Sequence, residues 1–181
     1  RVKRVGEYMS SGTITIEGDI GMHCGNFMRG GNIAIHGNAD GWLGREMRAG
    51  SIVCHGNAGD YCGSGYRGEK RGMRGGKIEV FGNAGDYLGE YLTGGEIHVH
   101  GNAGMFAGAE MRGGSLIIDG DVWIPGANMA KGTLVIRGKV YNMLPSFEKI
   151  EEKEGMMVYH GDVANKGKGE MIIKMSTEDS S

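Results

Sequence analysis

Glycines divide this chain into a repeat, and the repeat constrains the fold more than any other feature. Equivalent units begin at Gly12, Gly31, Gly50, Gly76, Gly95, Gly114 and Gly132, at spacings of 19, 19, 26, 19, 19 and 18 residues. The fifth unit, GEIHVHGNAGMFAGAEMRG, gives the form G-x-I-x-V-x-G-N-A-G-x-x-x-G-x-x-M-x-G. A unit this short cannot bury its own apolar face, so successive units must stack. The seven surplus residues of the third unit lie between Gly63 and Met73, in SGYRGEKRG, and read as a looped insertion that leaves the register intact.

The start of each unit alternates with the strand period of two. Ile14, Ile33, Ile52, Ile78, Ile97, Leu116 and Leu134 share one position, and Ile16, Ile35, Cys54, Val80, Val99, Ile118 and Ile136 share the next on the same face. The opposite face is mixed, with Thr15, Ala34, Glu79 and His98. What remains of each unit is too short and too glycine-rich for a crossover helix. A 19-residue lap that returns the chain beside its previous strand is a coil of a parallel β-helix, with about 4.8 Å between laps. The expected fold is therefore all-β: a right-handed parallel β-helix of about seven 19-residue coils over residues 1–138. Glycine fills 37 of 181 positions without recurring every third residue, which excludes collagen, and its density excludes a helical bundle.

Three further columns complete the predicted interior. They are Ala39, Ala58, Ala84 and Ala103 with Ile20 and Val122; then Cys24, Leu43, Cys62, Leu88 and Ala107; then Met28, Met47, Met73, Leu92, Met111 and Met129. Methionine suits the last, because an unbranched side chain adapts to irregular corner space. Asn38, Asn57, Asn83 and Asn102 recur at one turn, where an amide can bond to backbone or stack on its equivalent.

GEYMSSG, from Gly6, matches GNFMRGG, from Gly25, so the chain opens in mid-coil and reads as a piece of a longer protein. Beyond Gly138 the pattern pauses. MLPSFEKIEEKEG is expected to form a short helix with Ser146 as its N-cap, and GMMVYHGD and GEMIIKM are expected to be strands. Residues 139–181 thus form a C-terminal helix plus strand cap, with two possibilities open for the strands: continuing the β-helix or folding over it.

Few residues nominate chemistry. The three cysteines show no C-x-x-C spacing and fall in inward columns, as buried thiols do. Three free thiols suit a reducing, cytoplasmic compartment. His36 and His55 stack on adjacent coils and His100 returns to their column, but Phe81 interrupts it. His23, His98 and His160 read as isolated. The glycine pairs lead to further corners and not to a helix N-terminus, so they are structural and do not cradle phosphate. No catalytic, cofactor-binding or metal-ligating residue is nominated. A formal charge of −2 argues against nucleic acid as the main partner, and no apolar run is long enough to span a membrane as a helix. Tyr66, Arg67, Lys70 and Arg71 in the insertion are the candidates for contact with a partner subunit or an anionic ligand, because loops that leave a solenoid sit on its binding face.

The units GNAGDYCG, GNAGDYLG and GNAGMFAG, each followed by M-R-G-G or an equivalent, resemble the GXGXG β-helix domain. Two families use it: the C-terminal domain of the glutamate synthase large subunit, and the C subunit of formylmethanofuran dehydrogenase. The runs KVYNMLPSFEKIEE and HGDVANKGKGEMIIK are similar to the C-terminal part of the latter. This resemblance implies a non-catalytic scaffold in an archaeal complex that reduces CO2 and formylates methanofuran, or in a related bacterial formyltransferase/hydrolase complex. It places the molybdenum or tungsten pterin, the iron–sulfur clusters and a dinuclear metal site on partner subunits. It also implies contact with methanofuran, whose tail is anionic. The alternative is a glutamate-synthase-like subunit supporting an amidotransferase and a flavin synthase.

Overall fold

The computed structural model describes residues 1–66 and 68–175. Its core is a ladder of parallel strands that recur once per sequence unit. They are β1 (Thr13–Ile16), β2 (Arg29–Ile35), β3 (Ala49–Cys54), β4 (Arg74–Val80), β5 (Gly94–Val99), β6 (Arg112–Ile118) and, after the short β7 (Val122–Trp123), β8 (Lys131–Ile136). Each pairs in parallel with the next in the register the alternation predicts: Ile78 lies opposite Ile97, and Ile97 opposite Leu116. The parallel β-helix inferred from the repeat is the fold observed.

Both inward positions of the strands are buried from Ile33 onward, and so are the alanine, cysteine–leucine and methionine columns. One continuous core therefore runs along the solenoid axis. The corner glycines belong to this packing. A Cβ at Gly25, Gly44 or Gly63 would collide with the Cδ1 of Ile52, Ile78 or Ile97, the isoleucine of a following coil. Each isoleucine fills the space that the missing side chain leaves.

The alanine column forms a second, thinner ladder of parallel bridges, Ile20 to Ala39, Ala58, Ala84 and Ala103. Beside it the asparagines bond to backbone. The Oδ1 of Asn38 accepts from the N–H of Asn57, that of Asn57 from Asn83, that of Asn83 from Asn102 and that of Asn102 from Asp121, each at 2.8 Å. Asp19 starts the series and Asp121 passes it to Lys139. Every turn in the row thereby satisfies a backbone donor of the next coil, as buried or half-buried amides require.

The insertion is closed at its base: the Met73 N–H donates to the Gly63 carbonyl at 2.9 Å, and the buried Ser64 hydroxyl donates to the Tyr61 carbonyl at 2.7 Å. The solenoid register resumes at once in β4.

The C-terminal part departs from expectation at one point. Residues expected to be helical form β10 (Glu148–Lys153), which follows the short β9 (Val140–Tyr141) and pairs antiparallel with β11 (Met156–Gly161). Glu154 and Gly155, at φ 53° and 72°, make the two-residue turn between them. Paired positive φ values there match the twist of a hairpin. Ser146 caps no helix; its carbonyl accepts from the Val163 N–H at 3.0 Å. The one helical segment among the described residues is a 3-10 turn, Val163–Asn165. The strand question resolves both ways. β12 (Gly169–Lys174) pairs in parallel with β8 and sets Met171 opposite Leu134 and Ile173 opposite Ile136, adding an eighth rung. β11 and β10 continue the sheet antiparallel beyond it.

Candidate interaction face

Outside the corner that carries the insertion, the solenoid corners alternate three residues with positive φ, of which only the middle one is glycine. In the third corner Trp42, Gly44 and Glu46 have φ values of 60°, 63° and 52°; in the fifth, Tyr87, Gly89 and Tyr91 have 57°, 65° and 57°. A non-glycine residue in this region costs about 1–2 kcal/mol. Here the strain is partly offset, because the turn aims large rings outward in register with the coils above and below. His23, Trp42, Tyr61, Tyr87 and Phe106 stack as one column, with centroids 5.0–5.2 Å apart. Stacked aromatic pairs contribute about 0.5–1.5 kcal/mol beyond their burial.

The insertion folds against this column. Tyr66 tilts over Trp42 at 6.3 Å, and the Arg45 guanidinium is held between the Tyr66 and Phe27 rings at 4.8 and 4.5 Å. A cavity of about 290 Å³ lies beneath the loop, lined by Trp42, Tyr61, Tyr66, Tyr87, Glu90 and Tyr91 among others. Burial, with Glu110 nearby, raises the Glu90 carboxyl above its ordinary range. The Trp42 indole N–H is buried with no hydrogen-bond partner among the described residues. Lys70 and Arg71 are exposed on the same loop. Arg67 lies outside the described residues. The loop thus sets Tyr66 against an aromatic wall that the sequence did not reveal, and leaves Lys70 and Arg71 exposed.

A larger groove of about 1080 Å³ lies at the C-terminal end, between the last coil and the β10–β11 hairpin. Its lining combines Arg137, Lys139, Lys149 and Lys174 with Asp121 and Glu152 and with apolar residues such as Met157 and Ile173.

Cys24, Cys54 and Cys62 are free and buried, as the column pattern predicts. Burial pushes the Cys24 thiol up to about 12 and raises the other two, so all three are inert toward thiolate chemistry near neutral pH. The histidine column is continuous: His36, His55, Phe81 and His100 stack at 4.6–5.3 Å, so Phe81 extends the column that it was expected to interrupt. His98 is not isolated. Its ring lies 4.1 Å from that of His100, and its Nε2 lies 2.9 Å from Asp119 Oδ2.

The outer surface of the glycine-repeat β-solenoid thus carries two ring columns, the insertion loop and the end groove. Its fold and repeat define a parallel β-helix protein with glycine-cornered coils. No family model matches the chain. Over 175 residues it is 59% identical to the C subunit of tungsten-containing formylmethanofuran dehydrogenase 2 from Methanococcus maripaludis, covering 95% of this chain and 64% of that relative's length. The formyltransferase/hydrolase complex of Methylorubrum extorquens, solved with methylofuran, contains a chain that superimposes with a TM-score of 0.90 at 30% identity, covering 97% of this chain and 75% of that one. The chain belongs to the family of formylmethanofuran dehydrogenase C subunits.

Proposed function

We propose that this chain is a non-catalytic scaffold, the C subunit of a formylmethanofuran dehydrogenase complex that reduces CO2 and forms N-formylmethanofuran. The observation that carries the reading is the 59% identity to such a subunit, sustained along nearly the whole chain. The uninterrupted hydrophobic interior supports it, because a solenoid packed this fully leaves its outer faces as the place for partners. Reduction and formyl transfer then belong to partner subunits, which hold the molybdenum or tungsten pterin, the iron–sulfur clusters and the dinuclear metal site. The complex is cytoplasmic; among the described residues no helix is long and apolar enough to cross a membrane. A second reading, a place in a bacterial-type formyltransferase/hydrolase complex, is favoured by the superposition at a TM-score of 0.90.

The insertion is the contact surface of this reading. Tyr66, Arg67, Lys70 and Arg71 engage a partner subunit or the anionic tail of methanofuran, with Arg45 bracing Tyr66 from beneath. Affinity purification of the tagged chain from native extract tests the proposal. Recovery of molybdopterin and amidohydrolase subunits is the expected result, and alanine at Arg67, Lys70 and Arg71 should lower that recovery or raise the KM for methanofuran. Recovery of flavin and glutamine-dependent activity instead would place the chain with glutamate-synthase-like proteins. Unchanged assembly and kinetics in the alanine variant would remove the role of the loop.

A further inference from the structure

The outward face carries one group of side chains that neither the core nor the scaffold reading uses. Glu79 and His98 are directly paired residues on β4 and β5, His100 follows the end of β5, and Asp119 follows the end of β6. One ligand atom each from Glu79, His98 and His100 lies within 4.8 Å of the others. His100 Nε2 is 3.0 Å from Glu79 Oε1, and its Nδ1 is 3.1 Å from Asp119 Oδ2. Asp119 Oδ1 accepts from Arg137 Nη1 at 2.6 Å, which turns Oδ2 toward the two rings.

We propose that Glu79, His98 and His100 form a binding site for a divalent transition-metal ion, with zinc the best fit, and that Asp119 is its positioning residue. Two imidazoles and one carboxylate form a donor set that zinc accepts, with a remaining position open to water or to a group from a partner. A tetrahedral ion with bonds of about 2.0–2.1 Å spaces its ligands by roughly 3.3 Å; His100 Nε2 and Glu79 Oε1 are already 3.0 Å apart, and the three donors lie within 4.8 Å, a gap that side-chain rotation would have to close. Asp119 supplies what ligating histidines regularly have, a carboxylate accepting the proton of the second ring nitrogen. Phe81 stacks on His100 at 4.6 Å and fixes its plane. The side chains of Glu79, His98 and His100 are 26%, 17% and 31% exposed, so solvent reaches the site while the parallel ladder holds the spacing. This site does not depend on the scaffold reading.

Titrating zinc chloride into the chelator-treated 181-residue chain by calorimetry tests the inference. The expected result is one saturable site. His98→Ala and Glu79→Gln should each weaken it at least about tenfold, and Asp119→Asn should weaken it by about tenfold. A His36→Ala/His55→Ala variant should bind within about twofold of the parent, because that pair lies outside the proposed donor set. Circular dichroism confirms that each variant is folded. No saturable binding by the parent chain would overturn the proposal, as would binding lost in the His36/His55 variant but kept in His98→Ala and Glu79→Gln.

Discussion

Gly95→Ala should cost the protein about 2–5 kcal/mol, read as a lowered urea midpoint, although it adds a single methyl group. Two effects combine. Gly95 has a φ of 82°, where a side chain is strained by about 1–2 kcal/mol. The added Cβ would also lie 2.7 Å from the Gly76 carbonyl oxygen and 2.8 Å from Met73 Cε. The first of these is backbone of the preceding coil, which cannot yield without opening the ladder, and such overpacking costs about 1–3 kcal/mol more. Two other glycines separate the contributions. Gly155 has a φ of 72° with nothing within 4 Å of a built Cβ, so Gly155→Ala should show the strain alone. Gly18 lacks both features, and Gly18→Ala should be neutral or stabilising by up to about 1 kcal/mol. Equal effects at all three positions would contradict close stacking of the coils.

Ile97→Ala should be comparably severe, at about 2–5 kcal/mol. Ile97 is fully buried, stands between Ile78 and Leu116 in its ladder, and occupies the space left open by Gly63. Neither glycine corner nor neighbouring rung can move in to fill the hole, because each is held by parallel hydrogen bonds on both sides. Glu96, the preceding residue, pairs with Lys77 at 3.2 Å, but the two side chains are 41% and 51% exposed. Glu96→Ala should therefore change stability by no more than about 1 kcal/mol. Thermal or urea unfolding of the two variants checks the contrast, and a mild Ile97→Ala would mean that the interior is not packed as described.

The solenoid was legible because each coil repeats its inward residues at a fixed spacing, so seven copies reinforce one pattern. The hairpin at Glu154 and Gly155 was hidden by composition. Glutamate and lysine favour helices, and KIEEKE reads as one until its partner strand is considered. Its residues are exposed throughout, so no buried face announced the strand. The aromatic column was missed for another reason. Positive φ is ordinarily assigned to glycine or asparagine, and only the stacking of Trp42, Tyr61 and Tyr87 on their neighbours makes large rings tolerable there. The group around His98 could not be read down a single column. It joins Glu79 and His98 from one outward position to His100 and Asp119 from the next, across three coils. Loop residues such as Lys70 were easy to find because they break the repeat.

The register of neighbouring coils can be measured through paired cysteines. Ala34 and Val53 are directly opposed on the outward faces of β2 and β3, whereas Glu79 lies a further coil away, opposite Val53. Adjacent laps stand about 4.8 Å apart, within the reach of a disulfide, and laps two apart do not. Under mild oxidation the Ala34→Cys/Val53→Cys variant should form an internal disulfide, and Ala34→Cys/Glu79→Cys should remain reduced. The opposite pattern, or bridging in both, would contradict a chain wound in parallel, nineteen-residue laps.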